Sequence, residues 1–314
     1  MLNRRHIRIK VMQILYAFKG SESDDLKKDE RFLMQSMENM YNLYLLMLSL
    51  LIEVQTKAED YQEKSQKKHL ATAEDKNPNR KFVNNELLEL LKQNRLLKDE
   101  LESRKVTNWQ FDDEYVDVIF RAILNSELYK DYMATKMSSF KEDKAFVIDI
   151  FKEIIAPNDK LYDYLEDKNI TWLDDLPVIN TAIVKLLRKS NPDKSDLHFV
   201  PKLFKDLEDR DFASNLLKKT VLNLSAFSNE ITNKTANWDK DRIANIDFVL
   251  LQMAICEFQK FPSIPVKVTI NEYLEIAKEY STPKSSVFIN GILDKIVKEY
   301  IDKGTLNKVG RGLM

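Results

Sequence analysis

VTINEYLEIAKEYSTPKSSVFINGILDKI, residues 268–296, decides how the rest of the chain is read. Ile270, Tyr273, Leu274, Ala277 and Tyr280 recur at helical spacing, and Phe288, Ile289, Ile292, Leu293 and Ile296 repeat the pattern beyond Ser281-Thr282-Pro283. The stretch therefore predicts two amphipathic helices joined by a short turn. Thr282 is suited to cap the second helix with its hydroxyl, and Pro283 to open it where no backbone donor is missed. Gly291 lies within the second helix, where glycine costs about 1 kcal/mol relative to alanine. Close approach of another backbone is the expected compensation.

Working outward, the 314 residues are 44% hydrophobic and 32% charged, with five glycines and eight prolines. That balance describes a water-soluble, densely helical chain and leaves too few turn formers for a β fold. The expected fold class is all-α. A net charge of −1 gives no overall attraction for nucleic acid, so any basic surface must be local. Cys256, alone in the sequence and set in an apolar helical run, forms no internal disulfide and suits a reducing cytoplasm. The most apolar run, residues 43–54, is too short to span a bilayer and contains Ser49 and Glu53. No secretory cleavage pattern follows the basic N-terminus.

Residues 3–19 predict a first helix burying Ile7, Val11, Ile14, Leu15 and Phe18. Arg4, Arg5, Arg8, Lys10 and Lys19 are its charges, with no acid among them, and Tyr16 lies beside the basic flank. Guanidinium groups neutralise phosphates and a tyrosine ring offers a stacking platform, which is the chemistry of single-stranded RNA binding. The same arginines would also serve simply to keep an amphipathic helix soluble, and the residues alone leave both readings open. Residues 31–61 read as one long helix, 57–81 as its charged end passing into a linker, and 82–101 as another helix. Asp112, Asp113, Glu114 and Asp117 are better read as a helix N-terminus than as a metal site, because no histidine joins them. Helical patterns continue through 139–155, 176–187 and 212–231, and residues 243–258 are apolar nearly all round, which marks a central core helix. The glycine-containing tail after Lys303 is expected to be disordered.

At certain residues the chain resembles the NusB family of bacterial transcription antitermination factors. They are Ile270-Asn271-Glu272, Ala277-Lys278, Ser285, Phe288-Ile289-Asn290-Gly291 and Leu293-Asp294-Lys295. Arg4-Arg5-His6-Ile7-Arg8 leading to Leu15-Tyr16, and Arg242-Ile243 through Glu257 ahead of Pro265, agree with it. The resemblance implies a helical bundle and a cytoplasmic factor, without cofactor or metal. Such a factor binds the boxA element of ribosomal RNA leader transcripts together with NusE, a ribosomal protein of the small subunit, and promotes processive transcription by the RNA polymerase antitermination complex. Carried over by position, Arg4, Arg5, Arg8 and Tyr16 would contact RNA, and Asp247 and Phe288 would face NusE. Lys284 stands where the family often has an acid, and a basic residue there would add a phosphate contact at a helix N-terminus. Asp247, an acid on an apolar helix, is expected to emerge at the surface or meet a cation, with an internal pair to Lys295 or Arg242 as the alternative.

Family members are usually much shorter. Residues 1–19 would be the RNA-binding helix, 20–135 a helical insertion peripheral to the bundle, 136–303 the family core and 304–314 the tail. No catalytic constellation emerges: His6, His69 and His198 are scattered, and the only Gly-x-Gly lies in the tail. Some RNA cytosine methyltransferases carry a NusB-like domain followed by a catalytic one, which this sequence is not expected to have. The alternative function is a helical scaffold of the same fold without RNA binding.

Overall fold

The computed structural model describes residues 1–20, 25–193, 196–235 and 244–313. It is all-α, with no strand among the described residues. In chain order the helices are α1 (Arg4–Gly20), α2 (Leu26–Gln66), α3 (Ala73–Lys76), α4 (Glu86–Gln93), α5 (Arg95–Ser103), α6 (Asn108–Phe111), α7 (Asp113–Leu124) and α8 (Glu127–Met133). There follow α9 (Phe140–Ile150), α10 (Asp159–Lys168), α11 (Trp172–Lys189), α12 (Leu207–Val221), α13 (Leu224–Lys234), α14 (Asn245–Lys260), α15 (Val266–Tyr280) and α16 (Ser285–Asp302). Helix α9 runs on into a single π-helical turn, Phe151–Ile155. The chain packs as two units, one of residues 1–37 with 203–314 and one of residues 38–202. This division does not coincide with the boundary at 135/136 read from the sequence.

In the first unit the uninterrupted apolar run becomes a helix surrounded on all sides: residues 249–258 of α14 are all buried, and α1, α12, α13, α15 and α16 pack around them. Each large side chain enclosed in this way contributes on the order of 1.5–3 kcal/mol from area removed from water. Cys256 lies inside this core, and burial pushes its thiol up to about 12. The thiolate, the reactive form, is therefore scarce at pH 8. We expect Ellman's reagent to leave Cys256 unmodified in the native protein at pH 8 and to titrate one thiol in denaturant; rapid reaction of the native protein would place the thiol at the surface.

The second unit is built on the apolar run of α2, whose residues 43–51 are all buried. That explains a segment of membrane-like composition, and no described helix is long and apolar enough to cross a membrane. Trp109 closes on it, its indole N–H donating to the Leu46 carbonyl at 3.0 Å and to Ser49 Oγ at 3.1 Å. The helix expected over residues 82–101 is two helices. Asn94 ends α4 and starts α5, its side chain accepting from the Leu97 N–H at 2.8 Å, and asparagine is well suited to that N-cap position. The acids 112–117 do lie at the start of α7. Lys168 pairs with Asp112 at 2.9 Å, and Lys57 with Asp117 at 2.9 Å and Asp113 at 3.4 Å.

Candidate nucleic-acid interface

The arginines of α1 are held by acids brought from distant parts of the first unit. Arg4 donates through Nε to Asp209 and through Nη2 to Glu208, both at 2.8 Å. Arg5 makes a two-pronged pair with Glu272 on α15, at 3.0 and 2.8 Å, and these bonds raise its pKa. Arg8 is only 2% exposed and donates to both carboxylate oxygens of Glu257, at 2.7 and 2.9 Å. Burial opposes its charge, but the field of Glu257 and the hydrogen bonds outweigh that, so its pKa is raised overall. Thr269 and Tyr273 add their hydroxyls to Glu257 at 3.0 and 2.8 Å. The Arg8 guanidinium also lies 5.2 Å from the centre of the Phe212 ring. A buried acid with this many donors is compensated, which makes it tolerable in the core.

A cavity of about 640 Å³ opens where α1 begins, lined by Asn3, Arg4, Arg5, Arg8, Val268 and Glu272 among others. Arg4 and Arg5 are partly exposed there. Arg8 borders the cavity, yet its donors are turned to Glu257 and, at 3.7 Å, to Glu272. The structure thus draws Arg4 and Arg5 to an accessible site and makes Arg8 an interior residue, which the sequence reading had placed with them. Tyr16, 49% exposed, stands further along the same helix. Lys19 near its end sits 4.3 Å from the centre of the Phe248 ring.

The second cluster is the turn between α15 and α16. Asp247 is 4% exposed and accepts from Ser281 Oγ at 2.6 Å and Ser285 Oγ at 2.7 Å. The expectation that its carboxylate emerges at the surface is not met, because two hydroxyls of the turn bring their dipoles to it instead. Of the cations considered for an internal pair, Arg242 lies outside the described residues, as do Trp238 and Ile243. The expected Thr282 cap is displaced: α16 starts at Ser285, and the Thr282 N–H donates to Ser285 Oγ at 3.2 Å. Lys284 is exposed at the N-cap position, with no side-chain cap bond. Val287 is 76% exposed, and Phe288 beside it is half-buried. Gly291 faces solvent, with nothing within 4 Å of where a Cβ would sit, so no close backbone approach explains it.

The tail expected to be disordered is docked. Lys308 Nζ donates to the carbonyls of Glu257 and Phe261, at 3.1 and 3.0 Å, and the Val309 N–H donates to Pro262 at 3.1 Å. These two carbonyls, at and just past the end of α14, already accept from the Phe261 and Ile264 N–H groups, and the lysine ammonium gives each a second, charged donor at the negative end of the helix.

Residues 179–298 match the model of the NusB family. A "Transcription antitermination protein NusB" of Salinibacter ruber is 45% identical over 112 residues, which are 36% of this chain and 70% of the relative. The chain belongs to the NusB family. Like-named proteins of Chloroherpeton thalassium and Citrifermentans bemidjiense are each 40% identical, over 129 and 92 residues. Those matches cover 41% and 29% of this chain and 61% and 63% of the relatives. No solved structure matches significantly. The family match includes α15 and α16 with their turn and all of α14, and it begins within α11 of the second unit. It leaves out α1, although the arginines of α1 are paired with acids of the matched region, Glu257 and Glu272.

Glu257 and Glu272 were not singled out from the sequence as site residues, although a signal was available. A first helix with five cations and no acid needs carboxylates from elsewhere. Glu257 is, with Asp247, one of two acids on the otherwise apolar α14.

Proposed function

We propose that the chain acts in transcription antitermination by binding boxA-type leader RNA of ribosomal RNA operons together with NusE, so that RNA polymerase passes termination signals. The observation that carries this reading is the open cavity at the start of α1 with Arg4 and Arg5 on its wall. Each spends Nε and Nη2 on carboxylates, and a guanidinium has five N–H donors, so the Nη1 edge of each is available to a phosphate oxygen. Tyr16 supplies the stacking ring, and Lys284 a further cation at the N-terminus of α16. Arg8 in this account braces α1 against α14. Phe288, with the more exposed Val287, forms the NusE-facing surface, and Asp247 acts on it through the turn.

A fluorescence-anisotropy titration with labelled boxA-type RNA tests the reading. Arg4→Ala and Arg5→Ala should each lower the slope of log affinity against log salt by about 0.7, the value for one phosphate contact on a single strand. Tyr16→Ala should weaken binding by about 1–3 kcal/mol with the slope unchanged. Unchanged isotherms in all three variants would remove the RNA from this face.

One observation favours a second reading, a scaffold of the same fold that does not bind RNA. Arg4 and Arg5 are already neutralised within the protein, and phosphate must compete with Glu208, Asp209 and Glu272 for them. Under that reading the parent chain itself gives no saturable RNA binding, while NusE still binds.

A further inference from the structure

The cations of the second unit contrast with those of α1. Helices α2 and α7 enclose an open groove of about 480 Å³, lined by Lys57, Tyr61, Lys64, Asp117, Phe120 and Arg121 together with Asp60. Lys57 is committed to Asp117 and Asp113. Lys64 and Arg121 are exposed, and among the described residues neither lies within ion-pair distance of an acid. Tyr61 lines the same groove, 51% exposed, its ring braced edge-on by Phe120 at 5.8 Å between centroids. Lys68 lies over the same ring at 5.9 Å. A second cavity of about 240 Å³ adjoins the first and shares Tyr61, Phe120 and Leu124 with it.

We propose that this groove is a second contact surface for single-stranded RNA, with a base stacked on Tyr61 and flanking phosphates held by Lys64 and Arg121. A half-exposed aromatic ring sharing one groove with two uncommitted cations matches a nucleotide, which offers a π-face and a phosphate together. An acidic peptide would use the cations and leave the ring unemployed. The adjoining cavity provides space for a neighbouring base against the same aromatic wall. Asp60 supplies an acceptor for base amino or ribose hydroxyl groups, so the groove is not limited to phosphate contacts. The groove lies within residues 20–135, read from the sequence as a helical insertion, and would give that stretch RNA contacts of its own.

The proposal rests on the RNA-binding reading above, and the test separates the two. The full-length protein is titrated into a fluorescein-labelled, unstructured single-stranded RNA that carries the boxA-type element and an unstructured extension. Tyr61→Ala should weaken binding about 5- to 150-fold, and Tyr61→Phe should restore it, since the ring face is what stacks. Lys64→Gln and Arg121→Gln should each lower the salt slope by about 0.7. Circular dichroism should be unchanged throughout, because these side chains are exposed. RNA substituted with 4-thiouridine should cross-link to peptides containing Tyr61 or Phe120. If the groove variants bind like the parent while Arg5→Ala and Tyr16→Ala weaken binding, the groove proposal falls and the function stands. If the parent binds no RNA, both fall. If a polyglutamate peptide displaces the RNA as well as unlabelled RNA does, the groove is an acidic-protein site and the proposal is overturned.

Discussion

The Arg8→Ala variant is expected to unfold about 3–5 kcal/mol more easily than the parent chain, because it leaves Glu257 charged and buried without its cation. Arg8 is almost wholly enclosed and gives both carboxylate oxygens of Glu257 a donor, so water cannot replace it without opening the core. Glu257→Ala should cost a similar amount, stranding Arg8 and removing the acceptor of Thr269 and Tyr273. The double variant should cost clearly less than the two single losses added, the signature of a coupled pair. Urea unfolding followed by circular dichroism reads all three. A loss under about 1 kcal/mol for Arg8→Ala would mean that its guanidinium meets solvent, as surface pairs contribute little. This is also why weak RNA binding by an Arg8 variant would not mark Arg8 as a phosphate contact: only variants that keep the parent stability report on the surface.

Asp247→Ala is the second large effect. Two serine hydroxyls donate to its carboxylate, and hydrogen bonds to charged groups contribute about 1.5–3 kcal/mol each, without full additivity. We expect a loss of about 2–3 kcal/mol, with Asp247→Asn, which keeps an acceptor, losing less. The turn carrying Lys284 and leading to Phe288 is tied to α14 through this carboxylate, so NusE affinity should fall with it. Phe288→Ala, by contrast, should weaken NusE binding with a much smaller change in stability. A parent-like melting curve for Asp247→Ala would contradict the buried geometry, and unchanged NusE titration by Phe288→Ala would move the partner surface elsewhere.

These expectations differ from a sequence reading for identifiable reasons. The amphipathic repeats of 268–296 and the apolar run of α14 are local, so periodicity alone shows the helices; it places their buried faces less well, since α15 buries Thr269, Tyr273, Ile276 and Ala277 while the expected Ile270, Leu274 and Tyr280 are half-buried. The resemblance carried the family, and the comparisons support it. Long-range pairing is a different matter. Arg8 and Glu257 are 249 positions apart. From composition, a helix of arginines without acids looks like a surface that awaits phosphate. Only the packing of α1 on α12, α14 and α15 shows that carboxylates of the same unit already meet them. Asp247 was legible as unusual but not as satisfied, since the donors come from a turn whose geometry depends on Ser281 and Ser285. The break at Asn94 was hidden because its flanks both have helical periodicity. The tail was misread because lysine and glycine suggest disorder wherever the carbonyls that dock them are out of sight.

The measurement that bears most directly on the central claim is a gel-shift titration of boxA-type leader RNA with the full-length protein, with and without purified NusE. The account predicts a saturable shift by the protein, strengthened when NusE is present, and lost for a sequence-scrambled RNA at the same salt. An RNA that stays unshifted at every concentration, with NusE present and the protein folded, would contradict it.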